Sequence, residues 1–92
     1  MHSKPILMRP DEAMPIKRAA SHAGKHICTI RRWVEQYGIG RQSGKHATVE
    51  VTRIGLDMVL QGDFEALELL RAGERNHPDV VRYFDFAGLP AS

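Results

Sequence analysis

The stretch HICTIRRWVEQYGIG, residues 26–40, decides the reading of the whole chain. Ile27, Ile30, Trp33, Val34 and Tyr37 recur at helical spacing, and at about 100° per residue they fall within an arc of roughly 120°. That arc is expected to face a core, so Trp33 is read as a packing residue and not as a base-stacking one. Cys28, Arg31, Arg32 and Glu35 project from the opposite side, with Thr29 and Gln36 on its edge. Two adjacent guanidinium groups on the open side of a short apolar helix suit a polyanion. The structural alternative is that they solvate the helix or pair with Glu35.

Upstream, Pro15 suits a first helical position, and Ile16, Ala19, Ala20 and Ala23 follow as one narrow apolar stripe. Gly24 ends this first helix, because glycine enters the left-handed conformation of a tight turn without steric cost. Downstream, Gly38 and Gly40 stop the second helix. RQSGKH then reads as a polar turn, and ATVEV as a short strand with β-branched alternation, which together give a small hairpin. Thr52 can cap a third helix whose apolar face is Ile54, Leu56, Met58, Val59 and Leu60, closed by Gly62. Asp63 suits the cap of a fourth helix, Phe64 to Ala72, with Glu65, Glu68 and Arg71 left for solvent and Gly73 after it. A last helix starts at Pro78, capped by Asn76 or His77, and ends at Gly88. The expected fold class is mainly α with a small β-hairpin. Residues 1–14 read as a flexible arm.

A chain of 92 residues makes one small domain and leaves no room for a separate catalytic lobe. No apolar run approaches the roughly 20 residues that span a bilayer, and the patch from Ile6 to Met8 is too short for a secretory signal. The single cysteine, Cys28, cannot form an internal disulfide, which fits a reducing compartment, so a cytoplasmic protein is expected. Charge is polarised: residues 1–53 carry ten Lys/Arg against four Asp/Glu, a net +6, and residues 54–92 carry three against seven, a net −4. The basic half suggests nucleic acid and the acidic half a face kept off it. Ordinary surface charge, unevenly spread, is the alternative.

The run GKHICTIRRW, with Ala20, Gly24, Ile30 and Trp33 at the spacing of small, turn and apolar positions, resembles the signature of MerR-like and phage excisionase-like DNA-binding domains. In those families the wing follows at once and then a strand leads into a capped helix. IGRQSGKHATVEVTRIGLDMVL is similar. The sequence departs from the pattern at Lys25, where an apolar residue is usual, and at His26, where a capping Ser is usual. Lys25 suggests a shallower turn or a cation aimed at phosphate, and the His26 ring can still offer a nitrogen to a backbone N–H. The resemblance covers residues 15–62 and implies a winged helix-turn-helix domain, followed over 63–92 by two helices packed on it or mediating association. It favours the excisionase-like branch, because the long dimerising coiled coil and effector domain of MerR proteins are absent.

On that reading the partner is double-stranded DNA. Arg31 and Arg32 are placed to read base edges, since arginine can donate two parallel hydrogen bonds to guanine O6 and N7. Thr29 can reach a phosphate or a thymine methyl, and Cys28, Glu35 and Gln36 share the recognition surface. In the wing, Arg41, Gln42, Ser43, Lys45 and His46 surround Gly44 and suit phosphates or a minor-groove edge, with Arg41 and Lys45 foremost. Lys17, Arg18 and Lys25 are auxiliary phosphate contacts. No metal, cofactor or catalytic site is expected. His22, His26 and Cys28 are interrupted by Gly24, no phosphate-cradling loop or nucleophile motif occurs, and Asp57, Asp63, Glu65 and Glu68 read as solvated faces. The apolar residues of the last two helices exceed what two isolated helices can hide, so they are expected to pack back, to self-associate or to meet an integrase-type protein. By the resemblance the protein would be an excisionase-like, nucleoid-associated factor that bends DNA at an attachment site. A small transcriptional regulator, a phage small-terminase-like packaging adaptor and a protein-interaction module with an acidic partner are the alternatives.

Overall fold

The structure, a computed structural model, describes residues 4–42 and 44–91. It is mainly helical with a small antiparallel sheet. Strand β1 (Ala13–Pro15) leads into helix α1 (Ile16–Ala23) and, after a turn, α2 (Ile27–Tyr37). Strands β2 (Gly40–Arg41) and β3 (Glu50–Thr52) flank a loop, and α3 (Arg53–Gln61), α4 (Phe64–Arg71) and α5 (Pro78–Ala87) complete the chain.

Local chemistry sets most of these boundaries. Gly24 sits at φ 65° and ends α1, its N–H reaching the carbonyls of Ala20 and Ser21. The His26 ring takes the place of a capping hydroxyl: Cys28 donates its backbone N–H to His26 Nδ1 at 3.1 Å. Thr52 Oγ1 accepts from Gly55 N, and Asp63 Oδ1 accepts from Ala66 N. His77, not Asn76, caps α5, with Asp79 N donating to His77 Nδ1 at 3.1 Å. Pro15 stands one place before the position expected, as the last residue of β1 and the cap of α1.

The sheet differs from a simple hairpin. Its order is β1-β3-β2, so the expected two-stranded wing carries a third strand from the N-terminal segment. Ala13 pairs with Thr52, Met14 with Val51 and Pro15 with Glu50. The strand expected over residues 47–51 is shorter, because β2 offers only Gly40 and Arg41 as partners for Val51 and Glu50. Gly40 is required where it stands: a Cβ there would lie 2.7 Å from Val34 Cγ1 and 3.2 Å from the Glu50 carbonyl oxygen. It lets β2 pass directly against α2.

From Lys4 onward the arm expected to be flexible is packed. Ile6, Met8 and Met14 are buried, and so is the Glu12 carboxylate. Glu12 meets Arg75 Nη2 at 2.5 Å, while Arg75 Nε donates to the Ala91 carbonyl at 2.6 Å and its guanidinium lies 4.6 Å from the centre of the Phe84 ring. Arg71, expected in solvent, is also turned inward: its side chain is 7% exposed, and it donates to the carbonyls of Lys4 and Tyr37. Two arginines of the C-terminal half thus hold the N-terminal segment down. A single core gathers Ile6, Met14, Ile30, Val51, Ile54, Met58, Leu67, Leu70, Val80 and Phe84, so α4 and α5 complete the same core as the preceding helices.

Asp57 corrects another expectation. It is 6% exposed, not a solvated face, and its Oδ1 accepts from His22 Nε2 at 2.7 Å, which ties α3 to the end of α1. Asp63 is shared between its cap and the Tyr83 hydroxyl, which donates to Oδ2 at 2.8 Å. Burial, with the hydrogen bond to Asp63 second, raises the Tyr83 pKa from 10.0 to about 12. The folded state therefore favours the neutral phenol. That contribution is complete below pH 10 and is lost as pH rises through about 12. Tyr83→Phe is expected to cost about 1 kcal/mol at neutral pH and to flatten the fall in stability across this alkaline window. Urea unfolding of both proteins at neutral and alkaline pH checks this, and an unchanged pH dependence would count against the assignment.

Candidate nucleic-acid interface

The outward side of α2 is as its spacing predicts. Ile30 is fully buried, Ile27, Trp33, Val34 and Tyr37 pack against the core, and Cys28, Arg31, Arg32, Glu35 and Gln36 are exposed, with Thr29 intermediate. Neither Arg31 nor Arg32 forms an ion pair or hydrogen bond among the described residues, although Glu35 lies within one turn of both.

The residues between β2 and β3 stand beside this face. Ala47 N donates to the Gly44 carbonyl at 3.1 Å, which makes a tight turn with Lys45 and His46 exposed at its tip. Gln42 closes the loop from inside, its Nε2 donating to Ala47 O at 2.6 Å and Lys45 O at 3.5 Å. Ser43 lies outside the described residues.

Two concavities run between α2 and this loop. One, of 440 Å³, is lined by Ile16, Arg31, Arg32, Glu35, Gly40 and Gln42 among others. The second, of 420 Å³, is lined by Lys17, Ile27, Arg31, Gln42, Thr48 and Val49 among others. Ile16, Arg31, Gln42 and Val49 belong to both, so the two form one groove with Arg31 at its middle. Among the described residues Arg31, Arg32 and Lys17 line it with no ion pair or hydrogen bond; Lys45 stands exposed at the loop tip, and Arg18 and Lys25 are exposed nearby in sequence.

Arg41 is placed differently from the sequence expectation. Its Nε donates to Glu50 Oε1 at 3.1 Å and its Nη1 to the Met8 carbonyl at 2.8 Å, so it fastens the N-terminal segment to the β2–β3 pair. Charge balanced by a carboxylate and committed to a carbonyl is a poor phosphate anchor. Gln42 likewise has its amide nitrogen occupied by the loop. The two histidines near α2 part company, His22 on Asp57 and His26 on the α2 cap.

The His22–Asp57 and Glu12–Arg75 pairs escaped the reading of the sequence. Asp57 did carry a signal, as the one charge within IGLDMVL: a charge placed among core positions is buried only with a partner. Glu12 gave none, because its partner lies 63 residues away.

Searches against protein-family models, curated proteins and solved structures give no match for this chain. Among the described residues no helix is long and apolar enough to cross a membrane.

Proposed function

We propose that this protein binds double-stranded DNA, with α2 as the recognition helix of a winged helix-turn-helix and loop 42–49 as its wing. The observation that carries the reading is that Arg31 and Arg32, on the exposed face of α2 beside the groove, have no ion pair or hydrogen bond among the described residues. Guanidinium groups on one exposed helix face suit a nucleic-acid backbone, which supplies anions in series.

The two arginines are assigned separate roles in this reading. Arg31 belongs to both halves of the groove and faces the wing, which suits a phosphate of the strand lying between helix and loop. Arg32, with Cys28 and Thr29 towards the start of the helix, suits a base edge in the major groove. Lys17 and Lys45 add phosphate contacts at the two ends. The resemblance of GKHICTIRRW extends the proposal to an excisionase-like architectural factor, which bends DNA at an attachment site and directs an integrase towards excision. A small transcriptional regulator would use the same interface.

The direct test is equilibrium binding of the full chain to a duplex selected from a random pool, followed by fluorescence anisotropy over a salt series. The logarithm of affinity is expected to fall linearly with the logarithm of salt, by about 0.9 per phosphate neutralised. Salt-independent binding, or none, would reject the reading. Lys45→Ala should weaken selected and random duplexes alike and lower the salt slope by roughly one. An unchanged slope would remove the loop from the interface.

A further inference from the structure

The groove that carries the cations also carries one opposite charge. Among the described residues that line it, Glu35 is the one carboxylate, standing with Arg31, Arg32, Gly40 and Gln42 in the first of its two halves. Glu35 is exposed and forms no ion pair or hydrogen bond among the described residues. It follows Arg31 by four residues and Arg32 by three. In that order a helical ion pair is the weaker, because a carboxylate is better placed on the N-terminal side of its cation. Glu35 is therefore poorly suited to tethering either arginine. Phosphates repel a carboxylate whatever the sequence between them, so on a DNA-binding face it weakens binding unless a donor on the base edges meets it.

We propose that Glu35 is a specificity-determining residue, which accepts a hydrogen bond from the 4-amino group of a cytosine paired with, or one step from, the guanine that Arg32 reads. This role rests on the proposed DNA binding and fixes part of the target it implies. An ionised carboxylate only accepts, and the major groove offers two amino donors, cytosine N4 and adenine N6. Adenine N6 lies between two acceptors, N7 of its own ring and O4 of its thymine, so a carboxylate that reaches it faces lone pairs on both sides. Cytosine N4 has such a neighbour on one side alone, the O6 of its guanine. Cytosine is therefore the better partner. Helix geometry sets its distance from the guanine. Three residues of α-helix advance about 4.5 Å and bring Arg32 and Glu35 side by side on one face, while successive base pairs are about 3.4 Å apart. The two side chains thus meet the same base pair or adjacent ones. The Arg32 guanidinium on that guanine also offsets the charge that Glu35 brings to the DNA.

The test is selection of duplexes from a random pool by the full chain and by its Glu35→Gln, Glu35→Ala and Arg32→Ala variants, followed by fluorescence anisotropy on the parent's selected duplex. Glu35 is exposed, so its substitutions leave the core intact. The parent is expected to enrich a C·G pair within one step of the guanine whose preference Arg32→Ala abolishes. It should lose roughly tenfold in affinity when that cytosine is replaced by an analogue lacking the 4-amino group. Glu35→Ala should show no preference at that pair, lose nothing on the analogue, and bind a random duplex severalfold more tightly, one repelling charge having gone. Glu35→Gln should move the preference to adenine, whose N6 and N7 an amide meets with two hydrogen bonds. Two results would overturn the assignment while leaving DNA binding in place: a parent as tight on the analogue as on cytosine, or a Glu35→Ala protein that keeps the cytosine preference. Uniform weakening of every duplex by both Glu35 variants would make Glu35 a support for the arginines, and would overturn it too. A parent that enriches no duplex would reject the DNA reading, and this role with it.

Discussion

Cutting the chain after Gly62 is expected to leave an unfolded fragment. The cut removes Leu67, Leu70, Val80, Tyr83 and Phe84, all buried in the core shared with α1, α2 and α3. At about 1.5–3 kcal/mol for each large buried side chain, their loss is comparable with the whole 5–15 kcal/mol by which a domain of this kind is stable. It also removes Arg71 and Arg75, the residues that hold the N-terminal segment. Residues 1–62 should therefore show weak helical circular dichroism and no cooperative melting. A cooperative transition in the fragment would restore the division at residue 62 that the sequence suggests.

The second large effect is at Arg75. Its removal leaves the Glu12 carboxylate, 1% exposed, in the core without its cation. Breaking a buried pair from one side costs about 3–5 kcal/mol, because the remaining charge is uncompensated. Arg75→Ala is expected to lower the urea midpoint accordingly, with part of the loss recovered when Glu12→Gln is added, since a neutral amide is easier to bury. A cost below about 1 kcal/mol would place the pair among surface ion pairs, and an Arg75→Ala protein that gains nothing from Glu12→Gln would remove charge burial as the cause.

These two results bear on what could be read from the chain. Helix ends were legible because each rests on residues adjacent in sequence: Gly24, Gly38, Gly62 and Gly88 in left-handed conformation, Thr52 and Asp63 as caps, and the His26 ring standing in for a hydroxyl. The outward stripe of α2 was legible for the same reason. Segment 4–15 was not, because β1 is three residues long and owes its existence to pairing with β3 across more than thirty residues. Within the groove, Arg41 and Gln42 look from sequence like their neighbour Lys45. What separates them is where the fold brings Glu50, Met8 and the loop carbonyls, and no local pattern encodes that.

Separating Arg31 from Arg32 tests the proposed reading of DNA by α2 most directly. Affinities of the parent, Arg31→Ala and Arg32→Ala are to be measured on a selected duplex and on a random one at fixed salt. Arg32→Ala is expected to lose about 1–3 kcal/mol on the selected duplex and much less on the random one, because a base-edge contact carries sequence information. Arg31→Ala is expected to weaken both duplexes alike and to reduce the salt slope by roughly one. Unchanged affinity of both variants for both duplexes would contradict the account.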